Sequence, residues 1–141
     1  FTRGKARQLR MDLTMTMPGM FGLEEMLDAG EELGIPILAK RVFGFSADNL
    51  WSPMCLPRNI LDRIVDEFLH KHKKRMANHT YFYAALRDLK EKPTYQEMFP
   101  DWQSELKKGK QRVEYLDKIR GTDIKDILKR DNEVLEWWKS I

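Results

Sequence analysis

The side chains whose types and spacing invite chemistry are two threonines, two adjacent cations, one aspartate, one cysteine and three histidines. Thr14 and Thr16 alternate with Leu13, Met15 and Met17. That period of two is a strand's, with both hydroxyls on one face and the apolar side chains on the other. Parallel strands direct their carboxyl ends at ligand sites, so Thr14 and Thr16 are candidates to line a polar interior or pocket, although threonine is also an ordinary strand residue. Lys40 and Arg41 interrupt a second apolar run. A charge there must reach solvent or find a partner; one of the two is a candidate anion ligand, against the simpler packing of a buried stem and solvated head. Asp48 reads as a catalytic acid or, beside Asn49, as a turn former. Cys55 has no activating neighbour in sequence and reads as a buried, inert thiol. His70, His72 and His79 make a poor metal set: a spacing of two on a helix points side chains apart, and the neighbouring lysines repel a cation. Lys107, Lys108, Lys110 and Arg112 near Trp102 read as a nucleic-acid surface or a solvated helix face, and the lack of an aromatic stacking platform favours the solvated face.

The elements that position these residues follow from periodicity. A strand over 13–17 stops at Pro18-Gly19. A helix over 21–33 follows, with Leu23, Met26, Leu27 and Leu33 on one side and Glu24, Glu25, Glu31 and Glu32 on the other. Gly34 suits the left-handed residue that ends a helix, and Pro36 prevents its continuation. A second strand covers 37–45, with Ile37, Ala39, Arg41 and Phe43 on one face and Leu38, Lys40 and Val42 on the other. Strand, helix and strand of these lengths form parallel neighbours joined by a right-handed crossover. One such unit cannot close a sheet, so the strand over 13–17 is expected to keep an unpaired edge that invites association.

A loop over 44–55 carries Trp51 and Met54, and helices fill the remainder. Pro57 opens the first of them, with Ile60, Leu61, Ile64, Val65, Phe68 and Leu69 as its apolar stripe. Asn78 is expected to cap a helix over 80–90 with Tyr81, Phe82, Ala85, Leu86 and Leu89 inward. Thr94 and Glu97 have capping-box spacing. A long helix from Trp102 turns Leu106, Val113, Leu116 and Ile119 inward, weakened in the middle by Gly109, and ends at Gly121. Ile124, Ile127 and Leu128 form a short apolar turn. Asp131 or Asn132 caps a last segment with Val134, Leu135, Trp137 and Trp138. The expected division is 1–55, strand–helix–strand, and 56–141, a mostly helical C-terminal region.

Hydrophobic content of 42% and charged content of 33% suit a soluble globular chain. No apolar run approaches the roughly 20 residues that span a membrane. The single cysteine leaves out an internal disulfide and any Cys-only metal site, and fits a reducing, cytoplasmic setting. A net charge of +3 falls short of the clustered charge that would argue for nucleic acid on its own. Arg3, Lys5, Arg7 and Arg10 read as a solvated connector, and an opening at Phe1 reads as an entry in mid-chain. There is no Walker loop, no Gly-x-Gly-x-x-Gly, no His-Glu-x-x-His and no Ser-His-Asp arrangement.

The order of features resembles a known family. The Leu13-Thr14-Met15-Thr16-Met17 strand, its helix, and Gly34-Ile35-Pro36 with the next strand look like the late strand–helix units of radical S-adenosylmethionine proteins. Trp51-Ser52-Pro53-Met54-Cys55-Leu56-Pro57 and the amphipathic helix after it resemble the phage and environmental "twitch"-type subgroup. So does Leu116-Asp117-Lys118-Ile119-Arg120-Gly121-Thr122-Asp123. The likeness implies an α/β fold: the late strand–helix–strand part of a partial parallel β/α barrel, followed by a mostly helical C-terminal tail. It implies reductive cleavage of S-adenosylmethionine at a 4Fe-4S cluster by the full-length protein, with an unknown substrate, a peptide or a nucleotide. The family's Cys-x-x-x-Cys-x-x-Cys is not in this sequence, and Cys55 alone cannot replace it. On this reading the chain is a C-terminal portion, inactive alone, in which Thr14, Thr16, Lys40 and Arg41 are candidates to face the barrel interior. The alternative is a non-catalytic helical module that binds a protein or a nucleic acid through its tail.

Overall fold

The computed structural model describes residues 9–141; Arg3, Lys5 and Arg7 of the basic opening segment lie outside them. The chain is α/β and dominated by helix. Strand β1 (Met11–Met15) and strand β2 (Ile37–Arg41) pair in parallel, in the register Met11↔Ile37 to Met15↔Arg41. Helix α1 (Leu23–Leu33) makes the crossover. Seven helices follow: α2 (Arg58–Lys71), α3 (Lys73–Met76), α4 (Thr80–Glu91), α5 (Tyr95–Met98), α6 (Trp102–Arg120), α7 (Lys125–Leu128) and α8 (Asn132–Ser140). No helix among the described residues is long and apolar enough to cross a membrane.

Both strands differ from their expected bounds. β1 starts two residues early because the Met11 N–H reaches the Pro36 carbonyl (2.9 Å). It ends at Met15 because the Thr16 hydroxyl accepts the Gly19 N–H (3.0 Å), folding Pro18–Gly22 into a 3-10 turn before α1. β2 stops at Arg41 rather than at residue 45; Phe43 and Phe45 turn outward and are 71% and 98% exposed. Gly34 ends α1 in the left-handed region, at φ 65°.

One hydrophobic core runs from Met15 in β1 to Trp138 in α8. Leu23 and Leu27 of α1, Ile60, Leu61, Ile64 and Val65 of α2, and Phe82, Leu86 and Leu89 of α4 supply its centre. Four side chains expected inward are exposed instead: Leu33, Tyr81, Ile119 and Ile127. Leu33 and Ile119 lie in the last turns of their helices, beyond the layer those helices cover. Asn78 does not cap α4; His79 holds that position without a side-chain bond. Two other caps form as the spacing predicts: the Thr94–Glu97 box at α5, and Asp131, whose Oδ1 accepts the Val134 N–H (3.2 Å) at α8.

The link between the strand–helix–strand unit and the helices is partly ionic. Glu24, Asp28 and Glu31 lie on one side of α1 and meet Lys71 and Arg75. Lys71 Nζ is 2.8 Å from Glu24, and Arg75 reaches both Asp28 (2.6 Å) and Glu31 (2.8 and 2.9 Å). Lys71 holds the Glu24 carboxyl, and Arg75 the Glu31 carboxyl, below the usual range.

Candidate functional site

The parallel pair has two unlike faces. In a parallel register, paired residues share a face, so Met11, Leu13 and Met15 stand with Ile37, Ala39 and Arg41, and Asp12 and Thr14 with Leu38 and Lys40. The first set meets the helices: Met15 and Ile37 are buried, and Met11, Leu13 and Ala39 pack against the core. On the second face Asp12, Thr14 and Lys40 are exposed, and Thr16, Leu38 and Val42 are half-buried. Parallel sheets are ordinarily covered on both faces; this pair is covered on one.

The four candidates from sequence divide between those faces. Thr14 and Lys40 are register partners on the open face, on strands about 4.8 Å apart. Their hydroxyl and ammonium suit an oxygen of a carboxylate or phosphate. Thr16 is next along that face, with its Oγ committed to the Gly19 N–H. Arg41 is on the other face: its guanidinium pairs with Asp88 of α4 and lies 5.0 Å from the Phe43 ring centroid. It docks the helix layer, so Arg41 does not join Thr14 and Lys40 on the open face as the family likeness implied.

At the carboxyl end of β2 the chain is held in one path. Asn49 Nδ2 donates to the Phe43 carbonyl (2.9 Å), and the space a side chain at Gly44 would need is filled by the buried Tyr95 hydroxyl. Asp48 is an anchor: it receives the Ser46 hydroxyl and the Arg112 guanidinium, which together hold its carboxyl below the usual range. Gly109 of α6 presses directly on the Asp48 backbone carbonyl. These contacts fix α6 to the loop that follows the sheet.

The other chemistry-bearing residues have structural employment. Cys55 is fully buried, with its thiol directed at the Leu50 carbonyl (3.7 Å) and pushed well above the normal thiol range by burial. His70 is exposed, whereas His72 and His79 are buried against the acidic side of α1. Arg75 donates to His72 Nδ1 (3.2 Å), and His79 Nε2 lies 3.4 Å from Glu31. Among the described residues no three His, Cys, Asp or Glu side chains are grouped to hold a metal ion. With the lone thiol enclosed, residues 9–141 do not fit an iron–sulfur cluster. On α6, Lys108 pairs with Glu105, Lys110 donates to the Trp138 and Ile141 carbonyls (2.8 and 3.1 Å), and Arg112 pairs with Asp48. Three of the four cations considered for nucleic acid thus bind the chain itself. Lys107 instead lines a hollow of about 320 Å³ with Trp102 and Trp137.

Sequence reasoning did not reach three arginine knots. Arg58 joins Glu97, Asp62 and the carbonyls of Leu89, Lys90 and Lys92. Arg63 makes a fork to Asp131 (2.8 and 2.9 Å) and reaches Glu133 (2.6 Å). Arg75 is the third. Apart from the four-residue pairs Arg58–Asp62 and Arg63–Glu67, their carboxylate and carbonyl partners lie tens of residues away, up to 70, where no local signal marks them. No family model, no curated protein and no solved structure matches the chain.

Proposed function

We propose that the chain is the distal strand–helix–strand part of a partial parallel β/α barrel, with its helical tail, from a radical S-adenosylmethionine enzyme. The observation that carries this reading is a parallel pair whose polar face leaves Asp12, Thr14 and Lys40 exposed, while its apolar face packs against the helical core through Met15 and Ile37. A barrel wall has this form: helices outside, and alternate side chains turned to an interior that further strands enclose. The outer edge of β1 supports the same reading. The Met11 N–H and Met15 carbonyl point to β2, so the alternate N–H and C=O groups of Asp12 and Thr14 point away. No described residue pairs with them in a strand.

Within this reading Thr14 and Lys40 face the interior and bind an anionic oxygen of cofactor or substrate. Thr16 shapes the turn beside them, and Arg41 positions β2 against α4. The cluster, which in such enzymes supplies the electron for cleaving S-adenosylmethionine, would be held by residues outside 9–141. The substrate is unknown, and the family likeness leaves a peptide and a nucleotide both open.

The test is to read the coding sequence upstream of Phe1, express the longer product without oxygen, and record its absorption spectrum and iron content. A Cys-x-x-x-Cys-x-x-Cys motif and a brown, iron-loaded product are expected. A longer product with neither sinks the enzyme reading and leaves a non-catalytic module.

A further inference from the structure

The other edge of the sheet belongs to β2. The Pro36 carbonyl accepts the Met11 N–H, and the Val42 N–H donates to the Met15 carbonyl (3.1 Å). The even-numbered residues therefore bond to β1, and the N–H and C=O groups of Ile37, Ala39 and Arg41 point outward. Every described element after β2 is helical, and none supplies a strand to this edge. Strands preceding β1 would add beside β1, since sequential strands tend to be neighbours. Among the described residues the β2 edge is therefore open.

The edge also forms one wall of a groove. Leu38, Lys40 and Phe43 face Tyr81 and Ala84 of α4 across about 320 Å³. A second hollow of about 280 Å³ continues it past Leu38 and Tyr81 to Arg10. Tyr81 and Phe43 are 67% and 71% exposed on its two sides. Its lining is unbalanced in charge: Arg10, Lys40 and Arg41 stand against Asp88, which Arg41 engages. Open edges are usually blunted, and here Lys40 is the only charge on the exposed face of β2.

We propose that the outer edge of β2 is a docking strand for an extended acidic peptide lying in the groove between β2 and α4. The peptide's main chain pairs with the outward groups of Ile37, Ala39 and Arg41, its carboxylates meet Lys40 and Arg10, and its apolar side chains rest on Tyr81 and Phe43. Strand addition of this kind draws affinity from main-chain hydrogen bonds and specificity from alternate side chains. A second copy of the chain fits less well, because a two-fold pairing would set this cationic edge against itself. The inference does not depend on a cluster; it assigns Lys40 to the groove that the residue lines, so that where both readings hold Thr14 alone keeps the interior role.

The test uses the 141-residue chain and fluorescence anisotropy, with a short fluorescein-labelled peptide of alternating valine and glutamate. Three comparisons accompany it: the same peptide N-methylated at every residue, a peptide with lysine for glutamate, and the Lys40→Glu protein. Saturable binding is expected, weakened at least about tenfold by N-methylation and by lysine, with the preference for glutamate over lysine lost in Lys40→Glu. Absence of saturable binding overturns the proposal. So does equal affinity for the N-methylated peptide, which would make the aromatic flanks the site and not the edge. A dimer in sedimentation that Lys40→Glu strengthens would assign the edge to a second copy and overturn it too. The barrel reading survives each of these failures, because it rests on the β1 edge and the open face.

Discussion

Gly109 shows how a residue's meaning changes with what approaches it. In sequence it is a weak point in a 19-residue helix. In the fold it is buried, with the Asp48 carbonyl against its α-carbon and Leu50 beside it. Gly109→Ala adds a methyl group directed into that carbonyl. It should destabilise by about 1–3 kcal/mol, although alanine is the better helix former by about 1 kcal/mol. Urea unfolding decides the sign: a higher midpoint for the variant would mean that α6 does not press on the loop. Arg41 makes the same point for charge. It neighbours Lys40 in sequence, yet the two side chains leave opposite faces of the strand, one toward Asp88 and one toward solvent.

At the scale of elements, termini are governed by backbone chemistry and faces by neighbours. α1 ends where Gly34 takes φ 65°, with its N–H on the Glu31 carbonyl (3.1 Å) and that of Ile35 on Gly30 (3.1 Å). A side chain at Gly34 would meet nothing within 4 Å, so the cost of Gly34→Ala is backbone strain alone, about 1–2 kcal/mol. Thermal unfolding should show that loss, with helical content by circular dichroism unchanged before the transition. The exposure of Tyr81 has a different origin. Tyr81 fits the apolar side of α4 by periodicity, but β2 ends at Arg41 and among the described residues no further strand lies over that part of the helix.

The whole molecule is held by one core and by arginine knots that bridge distant segments. Arg58, followed by the Thr94 N–H, lowers the Glu97 carboxyl to about 2 from an ordinary value of 4.5. Glu24, Glu31 and Asp48 are lowered as well. A carboxylate depressed in the folded state contributes stability above its unfolded pKa and loses it as pH falls toward the folded one. The urea midpoint should therefore hold level above about pH 4.5 and decline from there toward about pH 2. Arg58→Ala should lower stability by about 2–3 kcal/mol near neutral pH, because five acceptors lose a charged donor. It should also flatten the acid decline. An unchanged pH profile in that variant would mean that Glu97 is not held by Arg58.

Local rules carried far along this chain. The parallel strand–helix–strand unit, the stop at Gly34, the capping box at Thr94, the cap at Asp131, the stripe of α2 and the burial of Cys55 each follow from steric or hydrogen-bonding preferences within a few residues, or from helical periodicity. The grouping of Thr14 with Thr16, and of Arg41 with Ile37, was legible because alternation assigns faces without any partner. What alternation cannot assign is which face the helices cover, or which residues of β1 and β2 become neighbours. The pairing of Thr14 with Lys40, the exposed polar face and the groove beside β2 were decided by register and helix docking. Those depend on contacts between segments tens of residues apart, as in Arg41 with Asp88 and Arg75 with Glu31, which no local pattern encodes.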